Sequence, residues 1–262
     1  MRGGEAPAKA AGAAVSAHCA ALIDAAGSAC VAVKLQLACF ERLGAPGWAA
    51  LAAAARHAGD AGLLVIADGK RGDVPVTAAA YGQALVGATP TPFGEVPGLA
   101  ADAFTVNPFL GEDALAPMLA AARDAAAGAF VLVRTSNPGA ADVEDLPTLD
   151  PDGGVVPLWE RLAARVARLG RDVGAVVGAT APELLERMRA LMPRTVLLIP
   201  GVGAQGGRVE DLAPAFAPGP AAGLVTVSRA IAAAHERHGG EPAQAAAAQA
   251  QRLRAEIAAV AG

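Results

Sequence analysis

Seven short apolar runs recur along this chain, and most are followed by a longer segment with helical periodicity. The runs are rich in Val, Leu and Ile and lack polar alternation, which is typical of parallel strands buried on both faces. Strands that alternate with Ala-rich helical segments indicate repeated βαβ units around a parallel sheet. The predicted strands are residues 31–36, 63–68, 103–107, 129–135, 175–179, 196–201 and 223–228, and the clearest helical segments are residues 48–58, 111–127 and 158–169.

The length of 262 residues favours a single α/β domain, a (β/α)8 TIM barrel, which commonly takes about 250 residues. A closed barrel needs one more strand, but residues 16–26 have a helical pattern and residues 1–15 carry no strand signal. We expect residues 1–15 to be poorly ordered or a remnant of the first loop, and the natural chain to start upstream of Met1. A barrel that lacks its first strand has two unpaired edges, so we expect low stability and a tendency to associate.

The composition argues against several classes of protein. A net charge of −4 provides no basic surface for a nucleic acid. No apolar stretch of about 20 residues is free of charge, so we expect no membrane span, and no signal region is evident. The three cysteines, Cys19, Cys30 and Cys39, have neither metal-ligand spacing nor an even number, which fits free thiols in a reducing cytoplasm.

Polar side chains gather where the predicted strands end, and ligand sites of parallel α/β folds are built from those ends. The strand-end residues are Lys34, Asp68, Lys70, Asn107, Ser136, Asn137, Gln205, Ser228 and Arg229. Arg134 also ends a strand, and it could either line the site or belong to a structural ion pair. A further local signal, the capping-box pattern T-A-P-E that starts at Thr180, predicts the beginning of a helix.

The densest charge lies in D-G-K-R-G-D, residues 68–73, directly after an apolar run. Asp68 and Lys70 are two residues apart, so on an extended strand both side chains point toward the barrel mouth. A lysine held between carboxylates keeps its proton and can deliver it. A carboxylate opposes an anionic substrate by roughly 4 kcal/mol at 4 Å, which suits a reaction that removes that charge as CO2. The alternatives are a salt-bridge network at the barrel rim, or a role of Asp73 as a helix N-cap.

Two loops after the last predicted strands have the features of a phosphate site. The loop PGVGAQGG, residues 200–207, contains Gly203 and other glycines that let backbone N–H groups approach a phosphate. The segment VSRA, residues 227–230, adds the guanidinium group of Arg229. If the missing strand is counted, these loops follow strands seven and eight, where such barrels frequently bind phosphate. A tight turn is the alternative for the glycine-rich loop alone.

Seven stretches, taken in order, resemble the orotidine 5′-monophosphate decarboxylase family, in particular its longer bacterial branch. They are VKLQLACFERLG, ADGKRGDVPVTAAAY, ADAFTVNPFLG, VLVRTSNPG, VVGATAPE, IPGVGAQGG and VSRAI, and they lie between about residue 16 and about residue 234. The resemblance implies a homodimer of (β/α)8 barrels that needs no metal or organic cofactor. It also implies conversion of orotidine 5′-monophosphate (OMP) to uridine 5′-monophosphate (UMP), the last step of de novo pyrimidine synthesis.

The resemblance assigns the charged residues to the chemical step. Lys70 matches the acid that protonates C6 of the pyrimidine, and Asp68 matches the residue near the departing carboxylate that helps to hold this lysine. Lys34 matches a lysine that contacts ribose and completes the alternating charges. Asp73 and Thr77 match residues that one subunit inserts into the active site of its partner.

The resemblance assigns a second group of residues to substrate binding. Ser136 matches the serine that hydrogen-bonds the pyrimidine ring, and Gln205 and Arg229 match the phosphate ligands. Asn107, at the start of N-P-F-L-G, is expected to have a supporting role only.

The sequence also departs from the family pattern. The first strand of the family normally ends in an aspartate that binds ribose, but Asp24 lies in a predicted helix and no other Asp precedes Lys34. Residues 89–98 are an extra surface loop that we expect near the dimer seam. Two other functions stay open. A magnesium-dependent sugar-phosphate decarboxylase or aldolase shares the D-x-K-x-x-D motif, but Lys34 stands where those enzymes place a metal-binding carboxylate. A catalytically dead phosphate-binding or scaffold protein would result if the missing strand abolished activity.

Overall fold

All seven apolar runs form strands of one parallel sheet in the computed structural model, which describes residues 5–150 and 152–262. The strands are β1 (Ala32–Gln36), β2 (Leu64–Arg71), β3 (Ala88–Thr91), β4 (Gly94–Pro97), β5 (Ala103–Val106), β6 (Gly128–Arg134), β7 (Pro147–Leu149), β8 (Val155–Pro157), β9 (Val173–Val177), β10 (Leu197–Pro200) and β11 (Gly223–Thr226). The large sheet has the order β1-β2-β5-β6-β9-β10-β11, and every neighbouring pair in it is parallel. This succession is that of a (β/α)8-type barrel.

Helices connect the strands and cover the outer face of the sheet. Within the described residues the α-helices are α1 (Glu5–Ala26), α2 (Leu37–Glu41), α3 (Ala45–Asp60), α4 (Pro75–Leu85), α5 (Glu112–Asp124), α6 (Ala141–Glu144), α7 (Leu158–Leu169), α8 (Leu185–Leu191), α9 (Arg229–Ala232), α10 (Ala234–His238) and α11 (Pro242–Ala261). The three helical segments predicted most clearly correspond to α3, α5 and α7. Alanine, the best helix former, is abundant in α1, α3 and α11, and proline in the first turn of α3, α4 and α11 suits a helix start.

The N-terminal segment differs from its prediction. Helix α1 begins at Glu5, so the expectation of a poorly ordered loop remnant is wrong for residues 5–15, while residues 1–4 lie outside the described part of the chain. Two physical reasons explain the helix. Its sequence is rich in alanine, and Gly12 allows α1 to approach α3 closely, because a Cβ at Gly12 would lie only 2.8 Å from the carbonyl oxygen of Pro46.

By length and composition alone, helix α1 could cross a membrane. The segment Ala6–Ala29 is long and apolar enough, with a mean hydropathy of 1.3. It nevertheless carries the charged residues Lys9 and Asp24, and the Asp24 carboxylate lies 2.7 Å from Nε2 of His57 on α3. Ile23 and Ala26 are buried. These contacts account for α1 as a helix of the outer layer of the barrel, and they agree with the prediction that Asp24 lies in a helix away from the strand ends.

Side chains of the sheet alternate between the barrel interior and the layer beneath the helices. The interior apolar cluster is formed by Ile66, Ala103, Phe130, Leu132, Val176 and Leu198, with Ala32, Val196 and Leu224 packed against it. Because the period of a strand is two residues, a residue two positions after an interior one also faces the interior. Lys34, Asp68 and Thr105 each stand in that position, so the sheet projects all three into the carboxyl end of the barrel.

The sheet has an open seam between its two outer strands. In the described part of the chain, neither β1 nor β11 pairs with a further strand. All four residues of β11 are half-buried, whereas all four of β5 are buried. A cavity of about 530 Å³ lies at the amino ends of the strands, with Leu64, Phe130 and Leu224 among its lining residues. The predicted absence of one strand therefore agrees with the structure, and the interior below the polar residues is incompletely filled.

Two small hairpins lie outside the barrel sheet. The segment predicted as a surface loop, residues 89–98, forms the antiparallel pair β3–β4, and Phe93 at its tip is fully exposed. Its base is hydrogen-bonded to the C-terminal end of α4, because Leu99 N–H donates to the carbonyl oxygen of Ala84. Since α4 starts beside the carboxyl ends of the strands, this base lies toward their amino ends. The second hairpin, β7–β8, follows β6 and precedes α7.

Candidate active site

The centre of the site is the carboxylate of Asp68, which two lysines and one threonine contact. Lys34 Nζ on β1 donates to Oδ2, and Lys70 Nζ on β2 donates to Oδ1 at 2.7 Å. The hydroxyl of Thr105 on β5 donates to the same Oδ1 at 2.9 Å. Asp68 is only 4% exposed, so this carboxylate exchanges water for fixed donors from three adjacent strands. The structure therefore confirms the predicted meeting of Lys34, Asp68 and Lys70.

The electrostatics of this group keep Asp68 ionised. Burial disfavours its charged form, but attraction and hydrogen bonding by Lys34 and Lys70 outweigh burial, so the pKa of Asp68 lies below its ordinary value. The side chain of Lys70 is 41% exposed, against 17% for Lys34, so Lys70 is the ammonium group that a bound ligand can reach more easily.

The backbone at Lys70 has an unusual conformation. Its φ is +48°, a left-handed value that is uncommon for a residue with a side chain. Three residues of β2, numbers 68–70, stand opposite the single residue Thr105 of β5, because the pairing shifts between Ala67 and Arg71. Bulges of this kind re-aim side chains next to active sites. Here the bulge directs the Lys70 side chain toward Asp68, and Gly69 is the one residue between them.

The rest of the D-G-K-R-G-D motif has separate roles. Arg71 forms an ion pair with Glu41, and its guanidinium group lies 5.5 Å from the ring centroid of Tyr81. These contacts give Arg71 a structural role. Asp73 Oδ1 accepts the N–H of Val74 at 2.7 Å, just before α4. Thr77 lies in the first turn of α4. The fold of one chain brings neither Asp73 nor Thr77 into the hydrogen bonds around Asp68, among the residues described.

Ser136 and Gln205 come together across the barrel mouth. The Ser136 hydroxyl donates to Gln205 Oε1 at 2.9 Å, although the two residues are 69 positions apart in the sequence. The hydroxyl of Thr180 donates to the carbonyl oxygen of Ser136 at 3.1 Å. A helical turn does begin at Pro182, as the T-A-P-E pattern predicts, but the predicted cap by Thr180 is wrong, because its hydroxyl supports the Ser136 loop and the turn starts without a side-chain cap. Gly178 is needed beside them, since a Cβ there would lie 2.7 Å from Ser136 Cα.

The glycine-rich loop after β10 folds into a compact turn. Gly201, Gly203 and Gly206 all have positive φ values, which glycine adopts without steric penalty. The turn is closed by hydrogen bonds from Gly203 N–H to the Gly207 carbonyl at 2.9 Å and from Gly207 N–H to the Gly201 carbonyl at 3.0 Å. The loop is therefore a tight turn that faces the mouth of the barrel, and its role as a phosphate site stays a prediction.

Arg229 lies next to this loop. It is the first residue of α9, and a Cβ at Gly203 would lie 3.6 Å from the Cβ of its neighbour Ala230. The side chain of Arg229 is exposed, and in the described part of the chain it forms no ion pair. A guanidinium group beside a glycine-rich turn provides fixed donors for a phosphate. The structure therefore places Gly203, Gln205 and Arg229 at one side of the mouth.

Two strand-end residues have structural partners. The side chain of Asn107 accepts the N–H of Phe109 at 2.9 Å, so it stabilises its own turn. Arg134 donates to Asp145 at 2.8 and 3.1 Å and lies 3.5 Å from Glu144. Of the two roles that the sequence left open for Arg134, the ion pair is the one observed.

Sequence reasoning missed two residues that contact the Asp68 segment. Thr105 donates to the carboxylate, and Gln36 Nε2 donates to the backbone carbonyl of Asp68 at 3.1 Å. The period of two was the available signal for Thr105, because it follows the interior residue Ala103 on the same strand.

No group of three or more His, Cys, Asp or Glu side chains suited to a metal ion occurs among the described residues. The site combines ammonium and hydroxyl donors around one carboxylate with amide and guanidinium groups at the other side of the mouth, and this set suits a phosphorylated anion that carries a second negative charge.

Comparison with known proteins identifies the family. The model of the "Orotidine 5′-phosphate decarboxylase / HUMPS family" matches residues 14–248. An orotidine 5′-phosphate decarboxylase of Rhodopirellula baltica is 41% identical over 237 residues, which cover 86% of this chain and 75% of that protein. The same enzyme of Deinococcus radiodurans is 46% identical over 209 residues, 76% of this chain and 70% of that protein. The structure of Leishmania donovani OMP decarboxylase superposes with a TM-score of 0.78 at 33% identity, over 95% of this chain and 89% of that one. The chain belongs to the orotidine 5′-phosphate decarboxylase / HUMPS family.

Proposed function

We propose that this protein is a carboxy-lyase that converts OMP to UMP and CO2, the last step of de novo pyrimidine synthesis. The observation that carries the proposal is the buried carboxylate of Asp68 between the ammonium groups of Lys34 and Lys70. The names of the relatives, which cover most of this chain, support the reaction.

The charged group suits the chemical step. In the reaction the bond between C6 and the carboxylate carbon breaks, and CO2 leaves without the bonding electron pair. That pair remains on C6 and takes the proton of Lys70, whose neutral amine is then reprotonated from solvent. Asp68 opposes the substrate carboxylate by roughly 4 kcal/mol at 4 Å in a medium of effective dielectric near 20, and this opposition disappears with CO2. Asp68, itself held by Lys34, also keeps the ammonium of Lys70 in place before the reaction, so little reorganisation is needed.

The opposite side of the mouth suits the rest of the substrate. We assign the pyrimidine ring to the pair Ser136 and Gln205, and the phosphate to Gln205, Arg229 and the turn at Gly203. Fixed N–H and guanidinium donors favour a phosphate in this position. Binding energy from the phosphate, far from the reacting carbon, can hold the substrate carboxylate against Asp68.

We further propose a cytoplasmic homodimer in which Asp73 and Thr77 complete the active site of the partner. Val74 and Val76, beside these residues, are 56% and 86% exposed, and apolar surface next to a site supports an interface there. Mixing inactive Lys70→Ala and Asp73→Ala subunits tests this assignment. Shared sites predict recovery of about one quarter of wild-type activity, because half of the dimers then carry one intact site. No recovery after verified subunit exchange would contradict it.

Turnover of OMP by the purified protein tests the function itself. We expect UMP and CO2 in equal amounts, without added metal or cofactor and without inhibition by EDTA. Loss of activity in EDTA would favour the magnesium-dependent sugar-phosphate decarboxylase or aldolase. Tight binding of UMP without any turnover would favour a catalytically dead scaffold, which the open seam between β1 and β11 keeps as the second candidate.

A further inference from the structure

We infer that Thr105 is a positioning residue that aims Lys70 and Asp68 at each other, through a hydroxyl that replaces a missing bond of the β-sheet. The role in turnover rests on the proposed function, but the geometry of the residue stands independently. Thr105 is 1% exposed on β5, and it contacts both residues of the charged pair.

The bulge of β2 creates the need for such a residue. Ala67 pairs with Phe104 and Arg71 pairs with Val106, so residues 68–70 have only Thr105 opposite them on β5. In a regular ladder the backbone groups of these residues would bind backbone groups of the neighbouring strand. On the β5 side a side chain replaces such a bond, because Thr105 Oγ1 accepts the N–H of Lys70 at 2.8 Å. On the other side of β2, where β1 ends, Gln36 Nε2 donates to the carbonyl of Asp68 at 3.1 Å.

The hydrogen bonds of Thr105 can run in only one direction. A backbone N–H is always a donor, so Lys70 N–H must use a lone pair of the hydroxyl oxygen. The single hydroxyl proton is then free for Asp68 Oδ1, at 2.9 Å, and this oxygen must act as an acceptor. Thr105 therefore favours the ionised carboxylate and, through the same atom, the strained backbone of Lys70 with its φ of +48°.

Replacement by valine removes these bonds with little change of shape. Thr105→Val leaves the Lys70 N–H without its acceptor and Asp68 without its hydroxyl donor. We expect kcat to fall by about 10- to 100-fold, the range typical when an outer hydrogen-bonding partner of a reacting group is lost, while KM stays nearly constant. Thr105→Ser keeps the hydroxyl and is expected to stay within about threefold of wild type, since one hydroxyl supplies both bonds.

The pH dependence separates this role from simple packing. The charged groups that contact Asp68 are Lys34 from β1 and Lys70 from β2, and neither changes in the variant, while β5 contributes only the uncharged Thr105. Loss of a donor to the ionised form moves the titration of a carboxyl to higher pH. The acidic limb of kcat should therefore move to higher pH in Thr105→Val and stay unchanged in Thr105→Ser.

The decisive experiment combines kinetics with a 13C NMR titration of the Asp68 carboxyl in wild type, Thr105→Val, Thr105→Ser and the control Thr195→Val. Thr195 is also buried, but it precedes the amino end of β10, far from the site. If Thr105→Val does not fold, Thr105→Ala replaces it, since alanine also lacks the hydroxyl. A shifted titration and lowered kcat in the valine or alanine variant alone support the inference. An unshifted titration, or a serine variant as impaired as the valine one, overturns it. If the wild type does not convert OMP, the proposed function fails, and the titration still tests Thr105.

Discussion

The two sides of the barrel mouth are built differently. Around Asp68 the functional groups stand on three adjacent strands, are mostly buried and contact one another directly. Around Gln205 they stand on loops and at a helix start, and Arg229 is exposed. Strands hold a side chain within a narrow range of positions, whereas loops move more easily. The comparison suggests that precision is concentrated where a proton moves, and adaptability where the substrate enters and leaves.

The difference also appears in the charges. The strand side buries one carboxylate, which is favourable only because two ammonium groups and a hydroxyl satisfy it. On the loop side the guanidinium group of Arg229 stays in water, so a phosphate that binds there replaces solvent at a small cost in free energy. Substitutions on the strand side should therefore act mainly on kcat, and those on the loop side mainly on KM.

The largest effect is expected from Asp68→Asn. The amide keeps the shape of the side chain but cannot hold two ammonium groups, so Lys70 loses its anchor and Lys34 lies beside it as a like charge. We expect kcat to fall by about 10²–10⁴-fold, the contribution typical of a positioned acid or base. Steady-state kinetics check this, with the exposed Asp60→Asn as a matched control that should leave kcat unchanged.

Arg229→Ala should have a smaller effect, and it should act mainly on KM. Loss of a charge-assisted hydrogen bond of about 1.5–3 kcal/mol predicts a rise of KM by about 10- to 100-fold, with a smaller change in kcat. Arg194→Ala provides the control, because Arg194 is also exposed but precedes the amino end of β10. A variant that lost kcat at unchanged KM would break the distinction between the two sides.

The free energy of unfolding in acid should reflect the buried, ionised carboxylate of the strand side. The folded-state pKa of Asp68 lies below its ordinary value of about 3.9, so its stabilising contribution is present above that pH and is lost as the pH falls toward the folded-state value. In this window the free energy of unfolding should decrease by up to about 1.4 kcal/mol per pH unit for this proton. Urea unfolding between pH 2 and pH 7 should show a shallower acid dependence for Asp68→Asn, and identical curves would contradict the assignment.

The smallest effects are expected when alanine replaces one glycine on each side, Gly203 on the loop side and Gly69 on the strand side. Gly203 has φ +78° but space for a Cβ, which would lie 3.6 Å from Ala230 Cβ, so Gly203→Ala adds only backbone strain of about 1–2 kcal/mol and a modest rise in KM. A Cβ at Gly69 would lie 2.9 Å from the terminal Cδ2 of Leu37, which can move. Gly69→Ala should therefore change kcat by less than about fivefold. Steady-state kinetics of both variants check this, and an effect of Gly203→Ala mainly on kcat, or of Gly69→Ala mainly on KM, would contradict it.

The sequence predicted the strands and the charged centre because both follow from short-range rules. Apolar runs without alternation indicated all seven strands of the sheet, and the missing strand left an open seam between β1 and β11. The period of two predicted the direction of Asp68, and parallel strand ends brought Lys34 to it, whereas Lys70 reaches Asp68 through the bulge of β2, which the sequence did not predict. The roles of Asp73 and Thr77 in a partner subunit stay predictions.

Other features depended on neighbours that are distant in sequence. The role of Thr105 requires the bulge of β2, and the partners of Arg134 come from the segment after β6. Thr180 binds Ser136 instead of capping a helix, because the loop of another strand provides an acceptor. The start of α1 at Glu5 was not predicted, although the high helix propensity of the alanines in residues 5–15 favours a helix there.

The most direct test of the central claim is the turnover of OMP by wild type and by Lys70→Ala, with the affinity for UMP measured on the same preparations. The account predicts rapid formation of UMP and CO2 by the wild type. It predicts a fall of kcat by at least about 10²-fold in Lys70→Ala, with UMP bound almost as tightly as before. A Lys70→Ala variant that forms UMP at nearly the wild-type rate would contradict the claim that Lys70 is the proton donor.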